Sequence, residues 1–208
     1  MRTLILVAAS LLASPVLAQQ GPARVQPVSV AQAISRASGL QASPDGDGLL
    51  GFGAAYLARI RDRGVRFDAS TGSDAPPAFV TLSAPVVTRG GAVVTTAADV
   101  VPTALDRRAS YHRAEGIDER FDIGPDGIEL SWSFAQRPAG EGDLFVRYAV
   151  ETSLGEPAAK DGGLAFEREH GGVSIGKVTG VDGRGERVEG TVQWDGSGVR
   201  LSLPAAFV

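Results

Sequence analysis

The 208-residue chain contains no cysteine, so no disulfide can cross-link it and no thiol can serve as nucleophile or metal ligand. Its stability has to come from a hydrophobic core. Histidine is nearly as scarce: His112 and His170 are the only two, too few for a three-ligand catalytic zinc site unless a carboxylate joins them, and no HExxH spacing occurs. There is no GxSxG nucleophile elbow. Lysine is confined to Lys160 and Lys177, all other basic residues being arginine, and with abundant alanine and glycine this bias points to a GC-rich bacterial genome. A net charge of −4 with both signs interspersed supplies no basic patch, which excludes nucleic acid as the expected partner. No pattern calls for a cofactor or a resident metal.

Long apolar runs are missing as well, with one exception at the start. Met1-Arg2 gives a short positive beginning, Leu4 to Leu12 is apolar, and Val16-Leu17-Ala18 forms a small-residue cleavage box. The run is too short to span a bilayer. Residues 1–18 therefore read as a signal peptide, and no cysteine follows Ala18 to take a lipid. The expectation is an exported chain, periplasmic or extracellular, with no stable membrane insertion after cleavage. Residues 19–48 are rich in Gly, Pro, Ser, Gln and Ala without an aromatic and read as a flexible lead-in, with a marginal helix weighed around Ser29 to Ser38. Residues 49–208 are then one domain, long enough for a single core.

What is present in that domain is period-two alternation. Ile128, Leu130, Trp132 and Phe134 alternate with Glu129, Ser131 and Ser133, as in a strand with one face buried. Phe121 and Ile123 do the same upstream, and Gly124-Pro125-Asp126-Gly127 between them makes a reversing turn. Leu144, Val146, Tyr148 and Val150 resume the pattern beyond a Gly/Pro-rich break, which suggests a three-stranded antiparallel meander. Ala55 to Phe67 fits either a short helix closed by Gly64 or a hairpin turning at Asp62-Arg63-Gly64, the hairpin being the preferred reading. A loop over Thr71 to Pro77 precedes a strand from Phe79 to Thr88 that Pro85 interrupts or confines to an edge. Ala92 to Val101 reads as a further strand and Thr103 to Ser110 as a polar connection. In the last third, turns at Gly171-Gly172, Asp182-Gly183-Arg184-Gly185 and Asp195-Gly196-Ser197-Gly198 separate short strands. That spacing indicates an all-β fold, an antiparallel β-sandwich of short strands and tight Gly/Asp turns.

The segments GIDERFDIGPDGIELSWSF (116–134), RPAGEGDLFVRYAVETSL (137–154), DGGLAF (161–166), GVSIGKVTGVDGRGERV (172–188) and VRLSLP (199–204) together resemble the N-terminal β domain of large secreted bacterial surface proteins whose later parts carry FG-GAP, integrin-like propeller repeats. The likeness covers roughly Ala55 to Pro204 and is strongest from Tyr111 onward. It implies an all-β structural or interaction module without catalytic residues.

Three groups of residues carry side chains suited to chemistry. Asp118, Glu119, Asp122 and Asp126 could hold calcium, but their spacing is not that of a calcium loop, and a solvated strand face and turn is the expected role. Glu129, Glu141, Asp143 and Glu151 could supply a carboxylate pair for glycoside hydrolysis, yet no spacing selects one pair. Trp132 and Trp194 could stack on sugar rings if exposed, but both fall in register with aliphatic residues and are expected in the core. The resulting expectation is a non-catalytic structural or protein-interaction module with surface proteins as partners. A carbohydrate-binding module taking polysaccharide, and then a hydrolase, are the alternatives.

Overall fold

A computed structural model describes residues 4–14, 38–70, 78–96, 99–169 and 171–208, giving the backbone alone for 4–10 and 14. The helix weighed at 29–38 and the loop at 71–77 lie outside the described residues, apart from Ser38.

The chain is an all-β, antiparallel sandwich of two sheets. The first runs in the order β13 (Ala158–Lys160), β14 (Gly163–Arg168), β15 (Gly171–Ile175), β1 (Leu4–Ser14), β11 (Gly127–Phe134), β10 (Ile117–Ile123), β9 (Arg108–Ala114), β8 (Thr103–Leu105). Two further strands, β16 (Val178–Val181) and β17 (Arg187–Glu189), extend from the other half of β1. The second sheet runs β18 (Thr191–Trp194), β19 (Gly198–Leu203), β12 (Leu144–Thr152), β6 (Ala78–Arg89), β5 (Gly64–Ala69), β4 (Tyr56–Arg61), β3 (Leu49–Gly53), β2 (Gly39–Ala42), with β7 (Ala92–Thr96) on β6.

Alternation becomes core directly. Ile128, Leu130, Trp132 and Phe134 of β11 are at most 1% exposed and face Val146 and Tyr148 of β12, Phe67 of β5 and Val80 of β6 in one apolar cluster. Burying each such side chain stabilises by about 1.5–3 kcal/mol, so the two inner faces supply what disulfides cannot. The β4–β5 hairpin turns where expected and buries Tyr56, Ala58, Ile60, Val65 and Phe67. Gly64 is obligatory there: its φ is +152°, and a Cβ would stand 2.1 Å from the Leu82 carbonyl oxygen.

Several expectations are corrected. β10 and β11 pair as a hairpin, but β12 does not continue the meander; it crosses to the second sheet and lies between β6 and β19. Period-two alternation fixes which face is buried and says nothing of the neighbour. β6 is central rather than an edge strand. Pro85 is tolerated because β5 pairs with residues up to Ser83 and β7 only from Val86, leaving the proline at a bulge where Ala84 takes φ +47°. The stretch expected as a polar connection, 103–110, contains β8 and the start of β9. The sheet also reaches into the expected lead-in, since Gly39–Ala42 pairs with β3.

The segment read as an export leader is itself placed as a strand. Leu4–Ser14 pairs antiparallel with β11 on one side and with β16 and β15 on the other, completing the first sheet.

Candidate functional site

The densest polar chemistry lies inside the sandwich, where β9, β10, β11 and β12 meet. Period two on β9 turns Ala109, Tyr111 and Arg113 inward, and on β10 it turns Glu119, Phe121 and Ile123 inward. A bulge opposite Ile117 and Asp118 gives Arg113 room to reach across. Arg113 donates to Glu119 Oε2 from Nε at 2.8 Å and from Nη2 at 2.5 Å, both side chains being wholly buried. Tyr148 donates to Glu119 Oε1 at 2.5 Å, and Trp132 Nε1 donates to the Tyr148 hydroxyl at 2.7 Å. The guanidinium also lies over the Tyr111 ring, 4.1 Å from its centroid.

Among the described residues, no buried nitrogen or oxygen of these four side chains lacks a hydrogen-bond partner, so the network is satisfied without an external ligand. Burial pushes the Glu119 carboxyl above its ordinary range, against the pull of Arg113's charge and the Tyr148 hydrogen bond. Burial and the nearby Glu119 charge push the Tyr148 hydroxyl well above its usual value. Such a group can fix the relative position of two sheets. With no exposure to solvent it cannot exchange protons with a substrate.

The expected acidic cluster is divided by this arrangement. Glu119 was expected on the wet face and is instead core, because it shares parity with Phe121 and Ile123; an acid in an apolar register was the available signal, and Arg113 carried the matching one on β9. Asp118 stays outside, paired with Arg120 at 3.2 Å and His112 at 3.0 Å. Asp122 pairs with Arg108 at 2.8 Å. Asp126 sits in the turn, whose carbonyls are already engaged: Tyr56 Oη lies 2.7 Å from Gly124 O and 2.9 Å from Gly127 O, and Ala54 N donates to Pro125 O at 2.9 Å. Beside it a shallow hollow of about 260 Å³ takes Asp122, Asp126 and Glu129 into its rim.

The remaining carboxylates and the tryptophans are scattered. Glu129 points outward from β11, Glu141 is exposed in the loop before β12, Asp143 accepts from Ala205 N at 2.8 Å, and Glu151 borders a second hollow on the far side of β5 and β6. That hollow, about 280 Å³, is lined by Arg59, Arg61, Arg63 and Arg66. Each arginine there has an acid: Arg59 and Arg66 hold Asp68, Arg61 holds Asp45 and Asp47, and Arg63 holds Asp99. A third concavity of about 600 Å³ at the end of β10 and β11 mixes Val94 and Ile117 with Glu115, Gln136 and Arg137. The two tryptophans do not form a stacking platform: Trp132 is 0% exposed, and Trp194 packs edge-on against Phe166 with ring centroids 6.0 Å apart. His170 lies outside the described residues.

Compared with known proteins, the chain matches no family, no curated protein and no solved structure.

Proposed function

We propose that the chain is an exported, non-catalytic β-sandwich serving as a structural or protein-interaction module at a bacterial cell surface or in the extracellular space. The observation that carries this reading is the use of ionic side chains among the described residues. They pair with one another, the buried Arg113 with Glu119 across β9 and β10 and Arg59 with Asp68 across β4 and β5, and even the arginines that line the hollow beside Glu151 each hold an acid, so the charges serve the scaffold. The leader-like start of the chain supports export, and the resemblance to the β domain of FG-GAP-bearing surface proteins supports the location. The balanced, slightly acidic charge argues against nucleic acid. A sugar-binding reading through stacked tryptophans loses its platform, since Trp132 is in the core.

Fractionation of producing bacterial cells with N-terminal sequencing tests the proposal. The expected result is a mature chain beginning at Gln19, outside the cytoplasm, retained on envelope preparations through protein and released when envelope proteins are digested. A chain with Met1 intact in the cytoplasmic fraction overturns export. Retention on purified polysaccharide alone replaces the protein-interaction reading with the carbohydrate one.

A further inference from the structure

We infer that the slot occupied by Leu4–Ser14, between β11 on one side and β15 and β16 on the other, is a strand-acceptor site, and that in the processed protein it receives an extended, uncharged aliphatic strand from a second polypeptide. This rests on the proposed export and deepens it by naming the surface and the partner's chemistry.

The same residues that read as a cleaved leader form the strand that joins the two halves of the first sheet. Leu4 to Leu12 pair with Phe134 to Gly127, Ile5 to Ala8 with Val181 to Val178, and Leu11 to Ser14 with Ile175 to Gly172. Cleavage after Ala18 takes this strand away. β11, whose inward residues include Trp132 and Phe134, then becomes an open edge, and an unpaired edge of this length is a template for another strand.

β1 shows what the slot accepts. Leu4, Leu6, Ala8 and Leu11 stand opposite the inward residues Phe134, Trp132, Leu130 and Ile128, with one bulge between Ala8 and Ser10. Leu11 is 1% exposed and Leu12 on the other face 41%. Gly127 lets the donor backbone come close, since a Cβ there would lie 1.9 Å from the Leu11 carbonyl oxygen. The acceptor strands offer little charge: Glu129 is the single ionic residue of β11, and β15 and β16 have none. A strand like β1, neutral and with aliphatic residues at the inward positions, fits; a charge at an inward position would be desolvated without a partner.

The chain's own next residues are poorly suited to refill it. Arg107 Nη1 donates to Ser38 Oγ at 3.0 Å, and the Arg107 carbonyl accepts from Ile123 N on β10 at 2.8 Å, so Ser38 is tied to the β9 row on the far side of β10. Three strand spacings, roughly 15 Å, separate that row from the slot and require about five residues of extended chain. A segment pairing along β11 as β1 does, and ending early enough to reach Ser38, must include Pro27. Proline has no N–H to give a strand paired on both sides.

The absence of cysteine makes a register-specific test direct. The exported Glu129→Cys protein is mixed under mild oxidation with a peptide of residues 4–14 carrying Ser10→Cys, the partner of Glu129 in register, or Leu11→Cys, one position away. The expected result is at least about tenfold more mixed disulfide with the first peptide, because a one-residue shift turns the thiol to the opposite face. Should Glu129→Cys fail to fold, Ser174→Cys with the Leu12→Cys peptide tests the other edge, where those residues pair. A Gln19 start with no adduct, or equal adducts from both peptides, overturns the acceptor site and leaves export standing. A Met1 start overturns both.

Discussion

Arg113 and Glu119 face each other across the β9–β10 hairpin with both side chains at 0% exposure, and two nitrogens of the guanidinium converge on the single oxygen Oε2 at 2.8 and 2.5 Å. A pair so placed contributes through geometry more than through charge, because desolvation offsets much of the Coulombic gain. Removing one partner is another matter. Glu119→Leu leaves a buried guanidinium without its counter-ion and Tyr148 without its acceptor, and is expected to cost about 3–5 kcal/mol in urea unfolding. Adding Arg113→Met to that variant should recover a good part of the loss. If Glu119→Leu alone costs less than about 1 kcal/mol, the network does not hold the sheets in place.

Trp132 contributes both volume and a donor. Trp132→Ala is expected to cost about 3–5 kcal/mol by opening a cavity in the centre of the first sheet. Trp132→Phe keeps the apolar ring and should cost less, about 1–3 kcal/mol, through the lost hydrogen bond to Tyr148 and the residual void. Equilibrium denaturation of both variants checks the order. An alanine variant within about 0.5 kcal/mol of the parent would place this side chain outside the core.

On the surface, Arg147 donates to Asp195 at 2.5 Å and holds its carboxyl down to about 2. A carboxyl lowered in the folded state stabilises above its ordinary value of 3.8 and ceases to do so as pH falls through about 2. The pair is about a third exposed, so screening limits its worth to about 1 kcal/mol or less. Arg147→Gln should therefore lower stability slightly at pH 7 and lose most of that effect by pH 2 in matched salt. A difference that persists unchanged at pH 2 contradicts the assignment.

With Glu119 buried, Asp118 and Asp122 paired to arginines, and Asp126 alone in its turn, calcium has little to gather. The melting temperature should be the same in calcium and in chelator at matched ionic strength. A site with a dissociation constant near 10 μM would add about 2.7 kcal/mol at a hundredfold excess of the ion. A rise of several degrees that Asp122→Asn abolishes would make the turn a functional site.

Much of the fold was legible in the sequence, and the misses share a cause. Alternation located β10, β11, β12 and the β4–β5 hairpin, because a side-chain period of two reports burial whichever strand lies alongside. It could not send β12 to the second sheet, nor show that Pro85 falls in the gap between β5 and β7, since both depend on neighbours distant in sequence. Glu119 was read by its charge when its parity with Phe121 placed it inside. Arg113 carried the same parity clue on β9, and only their meeting across the bulge makes either burial tolerable. The Leu4–Leu12 run offers only hydrophobicity and length, which suit a leader and a central strand equally well.

Hydrogen exchange along β11 tests most directly the claim that Leu4–Ser14 fills a slot that processing opens. In the unprocessed chain, amides from Ile128 to Phe134 should all be protected, half of them by β1 and half by β10. In the exported chain beginning at Gln19, alternate amides facing the vacated side should exchange faster and become protected again when the 4–14 peptide is added. Uniform protection of β11 in the processed chain without added peptide would contradict the account.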